Sequence, residues 1–247
     1  MKKRIWIILL LPQKKIRAGA VIALALIFLF MFLTWPSNYL AVFQTKVLRE
    51  ATVVIDPGHG GIDGGVSRGE MIEKEITLKI AKLLKAMLEK KGCNVLTTRE
   101  TDTDLSHLLP NGPQERHRRD VHGRGKFINE SNGDLFVSIH INACVEDPFT
   151  RGAIVFYSKD NEESLILATI IQNHLNKITS ANLQTGEYVH KNIKEGDLYL
   201  LNNATIPGVI AELGFITNAT DKKLLATHSY RKKLAEAICN GIVEYLR

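Results

Sequence analysis

The stretch Val53-Val54-Ile55-Asp56-Pro57-Gly58-His59-Gly60-Gly61 sets a β-branched apolar run against a proline and then places one histidine among glycines. A run of this composition is the pattern of a buried strand, and glycines clear side chains away so that backbone and solvent reach the imidazole. The arrangement recurs twice. Leu135-Phe136-Val137-Ser138-Ile139 leads to His140, followed by Ile141-Asn142-Ala143, and Pro207-Gly208-Val209-Ile210-Ala211 leads to Glu212. Three strand ends thus each carry one metal-competent or acid/base side chain, and strand ends are where open α/β sheets build their sites.

A single histidine after a strand is ordinarily a hydrogen-bonded structural residue, and a lone glutamate a solvated one. Together they mean more, because neutral imidazole and carboxylate make the usual zinc environment, with a position left open for water. A further carboxylate is available where Ile72-Glu73-Lys74-Glu75-Ile76 opens an amphipathic helix just past the glycine loop. Glu70, Glu73 and Glu75 have the same chemistry, and composition does not choose among them. The loop Gly58-His59-Gly60-Gly61-Ile62-Asp63-Gly64-Gly65 lacks the terminal Gly-Lys-Ser/Thr of a phosphate-binding loop.

Outward from these motifs, strands and helices alternate. Strands are expected at 51–55, 93–98, 135–140, 152–157 and 208–213, with helices near 73–91, 120–130, 161–178, 219–226 and 229–246. Ile76, Ile80, Leu83, Leu84, Met87 and Leu88 recur at helical spacing, so one face of the first of these helices packs on a sheet, and Gly92 stops it. The alternation predicts an α/β fold, a mostly parallel twisted sheet covered by helices on both faces. The polar segment 114–124 reads as a solvated connection into a helix, with an anionic glycan or phosphate as its other possible partner. His117 and His122 within it are not expected to be ligands, since nothing fixes them on rigid elements.

The 247-residue chain has a formal charge of +6, and the location of that charge matters. Residues 1–49 hold eight Lys/Arg and no acid, which leaves 24 basic against 26 acidic residues from position 50 onward. The basicity is N-terminal, so a nucleic-acid partner is not expected. Residues 1–17 read as a basic cytoplasmic segment. Residues 18–35 read as a signal-anchor or signal-peptide segment whose apolar run covers 18–33, and 36–50 as a tether to an exported domain, 51–247. An uncleaved anchor is favoured because Ser37-Asn38-Tyr39-Leu40-Ala41 puts a tyrosine where cleavage needs a small residue. Cys93, Cys144 and Cys239 make no disulfide framework; Cys93 and Cys239 read as buried small hydrophobes and Cys144 as a core or loop residue.

Four motifs then carry a resemblance: D-P-G-H-G-G at Asp56 to Gly61, Glu73-Lys74 at a helix start, S-x-H-x-N at Ser138 to Asn142, and E-x-G-F-x-x-N at Glu212 to Asn218. Their order resembles that of the zinc-dependent N-acetylmuramoyl-L-alanine amidases over residues 51–247. The resemblance implies that His59, Glu73 and His140 bind Zn2+, that Glu212 is the catalytic carboxylate, and that Asn142 contacts substrate. It implies hydrolysis of the amide between N-acetylmuramic acid and L-alanine of peptidoglycan. The short anchor and Gly65-Val66-Ser67-Arg68-Gly69-Glu70 resemble the germination-specific enzymes of spore formers. A role in making cortex muramic-δ-lactam follows from that likeness, with a peptidoglycan deacetylase as functional partner and an exported accessory protein as a further one. The competing readings are a zinc peptidase of the stem peptide and a non-catalytic peptidoglycan-binding module.

Overall fold

The computed structural model describes residues 13–34, 48–180 and 188–247. It divides into two compact units, residues 1–43 and 44–247. In the first, helix α1 (Gln13–Thr34) shows the side chains of residues 21–31 all exposed. Among the described residues no helix is long and apolar enough to cross a membrane. Most of the expected basic segment and tether, residues 1–12 and 35–47, lies outside the described residues.

Among its described residues the second unit has ten strands: β1 (Thr52–Pro57), β2 (Ser67–Arg68), β3 (Met71–Ile72), β4 (Asn94–Thr97), β5 (Leu135–Asn142), β6 (Thr150–Arg151), β7 (Ile154–Tyr157), β8 (Tyr188–Val189), β9 (Lys194–Glu195) and β10 (Gly208–Phe215). Six of them form one sheet in the order β4-β1-β5-β10-β7-β9. β4, β1, β5 and β10 run parallel; β7 pairs antiparallel with β10, and β9 runs parallel to β7. The mostly parallel sheet expected from the sequence is therefore present, with a reversed edge. Helices α2 (Glu73–Lys91), α3 (Arg116–Glu130), α4 (Glu162–Thr179), α5 (Tyr199–Asn203), α6 (Ala219–Leu225) and α7 (His228–Tyr245) complete it.

The period-2 alternation of strand side chains sorts the core into two layers. Val53, Ile55, Val137, Ile139 and Val209 join the apolar faces of α2, α4 and α7, while Val54, Phe136 and Ile210 face Ile128 of α3 and Leu200 and Leu201 of α5. Cys93 and Cys239 are buried in the larger layer, as expected. Gly92 ends α2 in the left-handed conformation, φ 101°, with its N–H donated to Glu89 O. One boundary is corrected. The segment read as a solvated connection is helical from Arg116, so His117 and His122 do lie on a rigid element.

Candidate metal centre

The parallel register aligns the site strands. Asp56 is opposite Ser138, Ile210 is opposite Ser138 from the other side, and Glu212 is opposite His140. Residues 136, 138 and 140 of β5 and 208, 210 and 212 of β10 therefore share a face, which delivers His140 and Glu212 together at the sheet's C-terminal edge. Glu73 begins α2, and His59 lies in the turn after β1.

Two buried guanidinium groups shape that turn. Arg99 donates from Nε to Pro57 O at 2.9 Å and from Nη2 to Gly58 O at 2.9 Å and Lys74 O at 2.8 Å. Arg124, only 3% exposed, donates to Asp56 Oδ1 at 2.7 Å, Asp120 Oδ2 at 2.9 Å, Pro57 O at 2.7 Å and His59 O at 2.6 Å. His59 has φ 61°, a left-handed conformation that costs a non-glycine residue of order 1 kcal/mol or more, and these clamps hold it there. Asp56, fully buried, also accepts from Thr98 Oγ1 and Ser138 Oγ, each at 2.6 Å. Burial alone would raise its pKa, but Arg124 and the two hydroxyls outweigh that and hold it at about 2.

The structure brings His59, Glu73 and His140 together, with one donor atom from each within 4.8 Å of the others. Glu73 is the one carboxylate of the three sequence candidates in this cluster. His59 Nε2 lies 3.2 Å from Glu73 Oε2, and His140 Nδ1 lies 3.0 Å from Glu73 Oε1. Tetrahedral zinc with bonds near 2.1 Å separates its donors by about 3.4 Å, and each histidine stands near that distance from one Glu73 oxygen. Each Glu73 oxygen is also fixed by a backbone donor, Oε2 by Val66 N at 2.9 Å and Oε1 by Ile141 N at 2.8 Å. Burial tends to raise Glu73's pKa, yet the two histidines bring it well below the usual carboxylate range. Burial likewise tends to lower His59, while its bonds to Glu73 and Asp63 lift it to about 9.

Asp63 was not singled out in the sequence, although its place four residues after His59 marks it. Its Oδ2 accepts from His59 Nδ1 at 2.8 Å. An ionised carboxylate only accepts, so His59 Nδ1 carries a hydrogen and Nε2 is turned toward the cluster, the usual outer support of a metal-binding imidazole. The same oxygen accepts from His117 Nδ1 at 2.7 Å. His117 thus supports the cluster at one remove, whereas His122 stacks on Tyr199 with ring centroids 4.0 Å apart.

Glu212 borders the cluster without joining it. Its Oε2 is buried and has no hydrogen-bond partner among the described residues, and burial pushes its pKa up to about 7. The exit of β10 is held by Asp221, whose Oδ2 accepts from Phe215 N at 3.0 Å and Gly152 N at 2.8 Å. Asn142 is half-buried, its Oδ1 accepting from Ala143 N at 2.8 Å, which leaves its amide N–H groups to offer elsewhere. Cys144 stays outside the cluster, its backbone N donating to Thr217 Oγ1 at 2.9 Å.

The chain is similar to known proteins. The family model described as Amidase_3, N-acetylmuramoyl-L-alanine amidase, matches residues 53–244. The germination-specific N-acetylmuramoyl-L-alanine amidase of Bacillus subtilis is 34% identical over 193 residues, 78% of either chain. Among solved structures, the CwlD amidase from Clostridioides difficile, in complex with the GerS lipoprotein, aligns with a TM-score of 0.71 at 36% identity, over 80% of this chain and 98% of its own. The amidase AmiC2 of Nostoc punctiforme aligns at 0.65 and 30% identity, over 79% and 97%. Since the family match spans the α/β unit from β1 to α7 and takes in His59, Glu73, His140 and Glu212, the chain belongs to the N-acetylmuramoyl-L-alanine amidases and is an enzyme of that family.

Proposed function

We propose that this amidase is zinc-dependent, acts outside the cytoplasm on spore-cortex peptidoglycan, and uses Glu212 as its proton-transfer group. The observation that carries the mechanism is the buried, unpartnered Oε2 of Glu212 beside the His59–Glu73–His140 cluster. Zn2+ held by those three residues would supply Lewis acidity and lower the pKa of a water molecule toward 7. Glu212 then accepts a proton from the attacking water and returns it to the nitrogen of the departing L-alanine, a role worth about 10²–10⁴-fold in rate. A carboxyl with a pKa near neutrality suits both halves of that exchange. Asn142 offers its amide N–H groups to the substrate.

The cortex role is supported by the likeness to the germination-specific enzyme of Bacillus subtilis, and an exported accessory protein by the complex of the Clostridioides difficile relative with a lipoprotein. In the cortex, stripping the peptide from muramic acid prepares the sugar for a deacetylase that completes the lactam. Membrane attachment is supported by the exposed apolar side chains of residues 21–31 following the basic N-terminal residues. On this reading residues 1–17 face the cytoplasm, 18–35 form the membrane segment, 36–50 are a tether and 51–247 act outside.

Incubating the zinc-loaded protein with sacculi should release intact stem peptides and leave unsubstituted muramic acid, read by mass spectrometry. Shortened peptides would assign the site to a peptidase instead. Glu212→Gln should keep near-stoichiometric zinc and lose at least about 10²-fold in turnover; retained turnover would remove Glu212 from the mechanism. Spores lacking the protein should contain cortex without muramic-δ-lactam, and normal lactam would move the enzyme to general wall turnover.

A further inference from the structure

We propose that Arg68 and Lys222 form a subsite for a carboxylate on the peptide portion of the substrate. The proposal rests on the reading above that the stem peptide is the leaving group.

The β2–β3 hairpin leads directly into the cluster, since Glu73 N donates to Val66 O at 2.9 Å while Val66 N holds the Glu73 carboxylate. From β2, Arg68 reaches across to the loop that follows β10 and donates from Nη1 to Thr217 O at 2.7 Å. Thr217 also receives Cys144 N on its hydroxyl. Arg68 therefore stands where the chain leaves β5 and β10, the two strands that carry His140 and Glu212. Its guanidinium has five N–H donors, and the Thr217 carbonyl occupies one of them. Among the described residues no carboxylate pairs with it.

A second cation stands over the same hairpin. The Lys222 ammonium lies 3.5 Å from where a Cβ on Gly69 would sit, over the turn of the same hairpin. It too has no ion-pair partner among the described residues, and Glu70, the hairpin's own acid, pairs with neither. Two cations on one hairpin, neither in an ion pair among the described residues, raise the local attraction for an anion.

The chemistry of the substrate says which anion this is. The carboxyl of muramic acid is consumed in the scissile amide, so at the bond being cut the sugar side is neutral. Free carboxylates belong to the peptide. An arginine fixed by one backbone tie, with its other donors unused, is suited to a charge-assisted contact with such a group.

The test is calorimetric binding of a free stem tripeptide and of its carboxamide analogue to the zinc-loaded full chain. The free acid should bind about 10-fold more tightly, and the difference should shrink as ionic strength rises. Arg68→Gln should bring the two affinities together, Arg68→Lys should restore part of the difference, and Lys222→Gln should reduce it. Equal binding of acid and amide by the unaltered protein, or undiminished discrimination in Arg68→Gln, would overturn the subsite. If Arg68→Gln does not fold, Lys222→Gln decides, because it leaves the Thr217 tie intact; unchanged discrimination there overturns the proposal. Turnover of the matching muramyl tripeptide, followed in parallel, keeps the two readings apart. Discrimination without turnover would sink the amidase reading and leave the subsite standing.

Discussion

One oxygen of Asp63 receives two imidazole N–H groups, from His59 and from His117, and this sets an order of importance among residues that support the cluster from outside it. Asp63→Asn replaces an acceptor-only group by an amide and should weaken zinc affinity about 10–100-fold, read by competition with a metal chelator. His117→Ala leaves His59 its partner, so its loss should be smaller, a few-fold; equal losses would refute the sequential arrangement. Asp56 tells a different story, one of stability. Its folded pKa of about 2 lies below the ordinary 3.8, so its contribution is fully present above about pH 4 and is lost as pH falls toward 2. The shift corresponds to about 2 kcal/mol. Asp56→Asn should lower stability at neutral pH and flatten the pH dependence of unfolding between about 4 and 2, measured by denaturant titration at each pH. An unchanged acid profile would show that another carboxylate governs acid unfolding.

Among elements, the turn after β1 depends most on having no side chain. A Cβ on Gly58 would overlap the His140 ring, whereas one on Gly64 would meet only an Ile72 methyl at 3.3 Å. Gly58→Ala should therefore abolish stoichiometric zinc binding while Gly64→Ala retains most of it, measured by metal analysis after dialysis. Zinc retained in Gly58→Ala would show that the turn yields more readily than its clamps imply. The long elements and the residues at their ends were legible because periodicity and motif spacing are local properties: β1, β5, β10 and α2 fall within a few residues of expectation. The two-residue strands β2, β3, β6, β8 and β9 were not, since so short a segment has no period. The roles of Arg99 and Asp63 were hidden for another reason. They depend on partners brought close by the turn geometry or by pairing of β1 with β4, which strand patterns alone do not reveal. The start of α3 was missed because the basic, polar run from Arg116 hides a helix whose first buried side chains are Asp120 and Arg124, with the apolar Ile128 only near its end.

At the scale of the whole molecule, the exposed apolar residues of α1 set the behaviour of the full chain apart from that of the α/β unit. The full chain should float with anionic lipid vesicles in a density gradient, and residues 44–247 should remain in the soluble fraction with amidase activity. Co-flotation of both would place the membrane contact in the catalytic unit. The sheet order has a consequence of another kind. β10 brings Glu212, the proposed proton-transfer group, and it is also the strand that joins β5 to β7 in the interior of the sheet. A ribosome completes β10 after every other strand, so until then the outer pair β7 and β9 has nothing to dock on and Glu212 does not yet exist. Assembly of the fold and arrival of Glu212 are thus a single late event, and on the proposed mechanism a prematurely ended chain lacks the means to cut the wall of the cell that makes it.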